Sequence, residues 1–198
     1  MLLKYQLLTV LCCLPAWLSS QPLALHPDNP HYLIYQGQPA LLVTSAEHYG
    51  AVLNEDFDFK MYLQTLQRDG MNYTRIFTGS YVEVPGSFNI EKNTLSPARG
   101  RYLAPWQRVA EAGAFEGEGK FDLRAFNPAF FERLRDFVAE AAARDIIVEV
   151  TLFCSTYSDR AWTRHPFNPA NNVDGIGPAD RRETNTLLHD AVNEVHRA

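Results

Sequence analysis

Asp-Gly-Met-Asn-Tyr-Thr-Arg-Ile-Phe, residues 69–77, decides how the chain is read. It follows an amphipathic run, and Gly70 suits a helix C-cap because glycine takes the left-handed conformation without a Cβ penalty. Met71, Tyr73, Thr74, Ile76 and Phe77 favour extended backbone. Arg75 interrupts them, and a guanidinium keeps its proton, so it needs a carboxylate, a carbonyl or solvent. A helix, a glycine and an apolar strand carrying one charge form the unit of a parallel α/β sheet that presents a functional residue at a strand end.

Upstream, Phe57, Met61, Leu63 and Leu66 recur at helical spacing within 56–69, and Asn54 or Asp56 is a candidate cap. Before that, Tyr32–Tyr35 and Ala40–Thr44 flank Gln36-Gly37-Gln38-Pro39 and predict a β-hairpin, its second arm being a first barrel or sheet strand. Strand, helix and strand then imply a parallel crossover unit. Downstream, 77–127 reads as a long irregular segment rich in Pro, Gly and aromatics. Pro128–Arg144 predicts a helix with Phe130, Phe131, Leu134, Phe137, Val138 and Ala141 on one face and a solvated charged face including Arg133. Ile146–Phe153 is a β-branched strand containing Glu149, read as a partner for an arginine or as a catalytic carboxylate. An irregular polar stretch follows to Asp180, then helical spacing from Glu183 to Ala198.

The formal net charge of −5 and pI near 5.7 come with dispersed basic residues, which gives no footprint for nucleic acid. Residues 1–20 carry Lys4, an apolar run from Leu7 to Leu18 and small residues at Ser19-Ser20, the pattern of a secretory signal peptide. The run is too short to span a bilayer. Export to the periplasm or outside the cell is therefore expected, with no membrane segment once the signal is removed. A buried N-terminal helix and lipidation at Cys12 or Cys13 are the alternatives, though no lipobox precedes either cysteine. Residues 21–198 then form one domain whose single cysteine, Cys154, reads as packing or as a nucleophile. His165 has no second histidine at ligand spacing, so neither metal nor cofactor is expected. Asn72-Tyr73-Thr74 matches a glycosylation sequon within an expected buried strand.

Candidate contacts cluster after the strands. Glu47, His48 and Tyr49 follow the first, where α/β enzymes place ligand contacts; a solvated loop with His48 capping a turn is the alternative. Trp106 lies in the long segment, and Tyr157, Trp162, Asn171 and Asn172 follow Glu149's strand. In the long segment the aromatic faces of Tyr81, Phe88, Tyr102, Trp106, Phe115 and Phe121 suit stacking on sugar rings, or serve to pin loops to the body. Elaborate loops after strands and short connections after helices mark a barrel or doubly wound sheet. No glycine-rich phosphate fingerprint follows either clear strand.

His-Pro-Asp-Asn-Pro-His-Tyr-Leu (26–33), Ser-Ala-Glu-His-Tyr-Gly-Ala-Val-Leu-Asn (45–54), Arg-Asp-Gly-Met-Asn-Tyr-Thr-Arg-Ile-Phe (68–77), Pro-Gly-Ser-Phe (85–88) and Val-Glu-Val-Thr-Leu-Phe-Cys (148–154) resemble the amino-terminal part of bacterial cellulase-like glycoside hydrolases of clan A, family 5 type. The resemblance implies an incomplete (β/α)8 TIM barrel, about three β/α units preceded by a hairpin. It places Arg75 as the arginine supporting the nucleophilic carboxylate, and His48, Tyr49 and Trp106 near an oligo- or polysaccharide substrate. It also implies a retaining mechanism with two carboxyl groups about 5–5.5 Å apart. No Asn-Glu-Pro motif occurs, and Asn193-Glu194-Val195 lies in a helical run, so neither catalytic carboxylate is named. A barrel of this type takes about 250 residues. The expectation is thus a truncated, inactive glycosidase whose partner would be the missing carboxyl-terminal part of the barrel. A non-catalytic carbohydrate-binding protein is the alternative, and unrelated hydrolysis through Glu149 or Cys154 ranks last.

Overall fold

The computed structural model describes residues 23–44, 48–111 and 117–198. The expected signal peptide and Glu47 lie outside them. The chain divides into two units, 1–41 and 42–198.

In the first unit, β1 (Ala24–Leu25), β2 (Leu33–Tyr35) and β3 (Gln38–Ala40) form an antiparallel sheet in the order β1-β2-β3. The β2–β3 hairpin closes through Gln36 and Gly37, both at positive φ (50° and 76°). Such a two-residue turn matches the twist of the flanking strands. Pro39 sits on an edge strand, where its missing N–H is tolerated.

In the second unit, α1 (Phe59–Arg68) begins at Asp58, whose carboxylate accepts from the Lys60 and Met61 N–H groups at 3.1 and 3.0 Å. The cap is Asp58 rather than Asn54 or Asp56, because a backbone bond from Phe57 N–H to the Asn54 carbonyl first closes a turn. Gly70, at φ +72°, ends the helix, and Met71 N–H returns to the Leu66 carbonyl at 2.9 Å. β4 (Tyr73–Phe77) buries Thr74 and Ile76 completely, with Tyr73, Arg75 and Phe77 on its other face. After the hairpin β5 (Trp106–Val109) and β6 (Lys120–Phe126) comes α2 (Pro128–Ala142), capped by Asn127 and started by Pro128. β7 (Ile147–Thr151) then pairs parallel to β4, with Arg75 opposite Glu149. Short α3 (Asp159–Trp162) and α4 (Asp190–Arg197) complete the unit.

No barrel forms among the described residues; the strands fall into separate sheets of three, two and two. This overturns the expected incomplete (β/α)8 barrel of three β/α units. Two local causes are visible. Of Ala40–Thr44, the expected first barrel strand, Ala40 ends β3 and residues 41–44 form no strand. Val43 meets Asn72, just before β4, accepting from its backbone N–H at 3.1 Å and donating to its side-chain Oδ1 at 2.8 Å. That side-chain acceptor stands where a ladder would need a carbonyl. The segment 77–127, expected to be irregular, also contains the antiparallel pair β5–β6 in place of a further parallel strand.

Two apolar cores result. Phe59, Leu63, Leu66, Ile76, Phe130 and Phe137 join α1, α2 and β4. Leu53, Tyr81, Tyr102, Trp106, Phe121 and Phe167 join the long loops, the β5–β6 hairpin and the segment after α3. Arg133, expected on a solvated face, instead turns inward. Its guanidinium donates to the carbonyls of Ala51, Val52, Asn54 and Phe57 at 2.7–3.0 Å and lies over the Phe59 ring. Burial lowers its proton affinity, yet Nε serves the Val52 carbonyl while the two Nη2 hydrogens are shared among those of Ala51, Asn54 and Phe57.

Candidate functional site: an aromatic cleft

The turn after His48 is set by Gly50. A Cβ there would come within 2.2 Å of the Thr94 carbonyl oxygen, so only glycine lets the two backbones approach. Gly50 N–H donates to Thr94 Oγ1 at 3.2 Å, and Asn54 Nδ2 to the Thr94 carbonyl at 3.2 Å. This clamp holds Tyr49 beside the end of β4, where Phe77 N–H donates to the Tyr49 carbonyl at 2.9 Å. Their rings stack 4.8 Å apart and 10° from parallel. His48 packs against Phe57 and Tyr62, each 4.9 Å away, and burial pulls its pKa below the usual imidazole value.

Beyond this pair the aromatic surface continues. Phe77 meets Tyr81 edge-on at 5.8 Å, Tyr81 meets Tyr157 at 5.6 Å, and Phe88 meets Tyr157 at 6.2 Å. Phe88 and Asn89 hold positive φ (54° and 58°), and Phe88 is 67% exposed. A bulky residue in that backbone region stores strain, and such strain concentrates at ligand sites.

These rings and the Glu83, Lys92 and Asn93 side chains line a cleft of about 830 Å³, within the range of small-ligand sites. Glu83 is 4% exposed. Its carboxylate accepts from Tyr81 Oη at 2.8 Å and closely from Asn93 Nδ2. Its backbone is pinned twice: Glu83 N–H donates to the Leu95 carbonyl at 2.7 Å, and Arg164 Nη1 donates to the Glu83 carbonyl at 2.7 Å. Burial first, then the Glu83 carboxylate, raise the Tyr81 phenol well above its ordinary value, so it stays a donor.

Of the residues expected from sequence, His48, Tyr49 and Tyr157 meet in this cleft. Trp106 is buried in the second core against Phe167. Asn171 and Asn172 are also buried, and their amides donate to loop carbonyls of Thr163, His165, Pro166, Asn168 and Ile176. These three organise loops. Trp162 borders a different cavity with Asp159, Asp180, Arg181 and Arg182. Arg75 pairs with Glu149 on the outer face of β4–β7. Nε lies 2.7 Å from Oε1 but off the N–H axis, and the directed bond is Nη2 to Oε2 at 3.0 Å. Tyr73 donates to the same carboxylate, and these two partners hold its pKa below the usual range. Cys154 is half-buried, and burial pushes its thiol up, against a nucleophilic role.

Sequence reading missed Phe77, Glu83 and Asn93 as site residues, and weighed Tyr81 and Phe88 as stacking or packing without choosing them for the site. One signal was available: Pro85-Gly86 beside Phe88 marks a tight turn presenting an aromatic. Among the described residues no group of three or more His, Cys, Asp or Glu side chains is placed to hold a metal ion.

No family model and no curated protein matches the chain. A solved structure described as a "putative glycoside hydrolase from Bacteroides vulgatus ATCC 8482" is similar at 18% identity and a TM-score of 0.49, over 72% of this chain and 26% of that one. The chain thus spans about a quarter of that protein's length.

Proposed function

We propose that the chain binds an oligosaccharide in the aromatic cleft, outside the cytoplasm, in the service of glycoside hydrolysis at O-glycosidic bonds. The observation that carries this reading is the continuous aromatic wall from Tyr49 and Phe77 to Tyr157 and Phe88, with a buried carboxylate and an amide at its base. Pyranose faces are apolar and stack on rings, while their hydroxyls need acceptors and donors, which Glu83 and Asn93 supply. The residue-level resemblance to cellulase-like hydrolases and the signal-like pattern of residues 1–20 support the same reading.

Retaining hydrolysis needs two carboxyl groups about 5–5.5 Å apart. Among the described residues Glu83 is the carboxylate lining the cleft, and Glu149 is engaged by Arg75 and Tyr73. Binding without turnover is therefore the expected behaviour of this chain, and the same observation favours a second reading, a non-catalytic carbohydrate-binding protein. Calorimetric titration with gluco- and manno-oligosaccharides, beside a reducing-sugar assay, tests both. Binding weakened about fivefold or more by Tyr157→Ala is expected. Absence of binding to any saccharide overturns the proposal, and release of reducing ends overturns the assignment of binding alone.

A further inference from the structure

Beside the main cleft, Tyr81, Glu83, Phe88 and Tyr157 also border a smaller pocket of about 300 Å³. Its walls are unusual for a site that meets only neutral hydroxyls. The Tyr157 ring stands nearly perpendicular to both Tyr81 (83°) and Phe88 (86°), so three aromatic surfaces bound one corner. Glu83 closes it. The carboxylate is buried and takes neutral hydrogen bonds from Tyr81 and Asn93, with no ion pair to any described cation. A buried carboxylate without a cationic partner is costly unless a cation arrives. Aromatic rings within about 6 Å of a cation add attraction through their quadrupoles.

We propose that this pocket takes an ammonium group, so that the saccharide read by the chain carries free amines, as in a glucosamine polymer. The inference rests on the saccharide reading above and adds the charge of the ligand. Buried Arg164 donates to the backbone carbonyls of Glu83 and Pro97 at 2.7 and 3.1 Å, and two exposed cations border the region, Lys92 on the cleft and Arg160 on the small pocket. In high-dielectric surroundings their repulsion is weak, whereas Glu83 acts from the interior. The ammonium donates to a carboxylate oxygen while its carbon skeleton lies against Tyr157 and Phe88.

The test is calorimetry on the full chain at about pH 6, where the amine is protonated. The probes are tetraglucosamine, its fully N-acetylated form, cellotetraose and tetramethylammonium chloride. Tetraglucosamine should bind about tenfold or more tighter than the two neutral tetramers, the scale of a charge-assisted hydrogen bond. Glu83→Gln should bring that ratio close to one. Phe88→Ala, at a position 67% exposed, should cut the ratio about two- to fivefold. It keeps the inference testable if Glu83→Gln fails to fold. Equal affinity for charged and neutral tetramers overturns the inference while leaving the saccharide reading intact. A ratio that survives Glu83→Gln overturns it as well. Tetramethylammonium binding that depends on Glu83, without binding of any tetramer, supports the cation pocket and overturns the saccharide reading.

Discussion

Replacing Arg133 by methionine removes the hydrogen-bonding side chain by which α2 holds the carbonyls of the 51–57 turn. Four carbonyls, those of Ala51, Val52, Asn54 and Phe57, lose a charged donor at 2.7–3.0 Å. Each such bond contributes about 1.5–3 kcal/mol if taken singly. The four share one guanidinium, so they do not add in full. Ala51 and Val52 are fully buried, and water reaches their carbonyls only if the turn opens. The expected loss is about 3 kcal/mol, with methionine keeping part of the stem's contact with Phe59. For a chain of this size that is a fall of about 6–12 °C in Tm. Arg133→Lys should recover about half, since an ammonium cannot span all four acceptors. Arg135→Met, on the exposed side of the same helix, should stay within about 0.5 kcal/mol of the parent. Thermal and urea melts of the three variants measure this. If Arg133→Met melts within about 2 °C of the parent, or matches Arg135→Met, the inward role of Arg133 is refuted.

Three further outcomes are expected. Arg75→Met should lower stability by about 1 kcal/mol or less, because the Arg75–Glu149 pair is more than 40% exposed on both sides; a urea midpoint shift far beyond this would show a larger role for the pair. The His165 ring is buried against Trp162 and Phe167, and burial, then His196, pull its pKa to about 3. The unfolded chain takes up that proton near pH 6.5, so stability should be full above this and decline toward pH 3. The slope is about 1.4 kcal/mol per pH unit at most, with His48 and His196 adding in the same direction. Urea midpoints between pH 4 and 7 should flatten in His165→Asn, and an unchanged slope would rule the assignment out. Cys154 should react with iodoacetamide more slowly than free cysteine at neutral pH, since burial keeps it a thiol; faster alkylation would reopen the nucleophile reading.

Local signals were legible where one segment decides its own structure. Asn127-Pro128 begins α2 with a cap and a fixed φ, and Gly70 ends α1 at positive φ, both as the residue types dictate. The β5–β6 hairpin was legible in part: Phe121 and Leu123 alternate inward along Lys120–Phe126, a period-2 signal masked by the surrounding Gly and Pro. What sequence periodicity could not show was non-local. Helical spacing places Arg133 beside exposed charges, and only the four carbonyls of a turn some 80 residues earlier draw it inward. Likewise a buried aromatic and a ligand-facing one look alike in sequence: Trp106 and Tyr157 were expected in one role, yet one fills a core and the other is 62% exposed on the cleft.

That the described strands close no barrel does not remove the reason for a site at this place. Parallel strands gather ligands beyond their carboxyl ends, because the loops that leave there are free to carry function while the sheet fixes their roots. β4 and β7 are such a pair. Phe77 is the last residue of β4, and Tyr157 lies a few residues beyond the end of β7 at Thr151. Thr78 N–H reaches the Thr151 carbonyl at 3.3 Å, and Thr78 Oγ1 donates to the Leu152 carbonyl at 3.0 Å, so the two exits stay joined past the strands. Two strands suffice to set the distance between the Phe77–Tyr49 stack and Tyr157, and the clamp at Gly50 and Thr94 closes the third side. The position of the cleft therefore follows from strand direction together with the Gly50–Thr94 clamp, and its character from the aromatic loops that meet there.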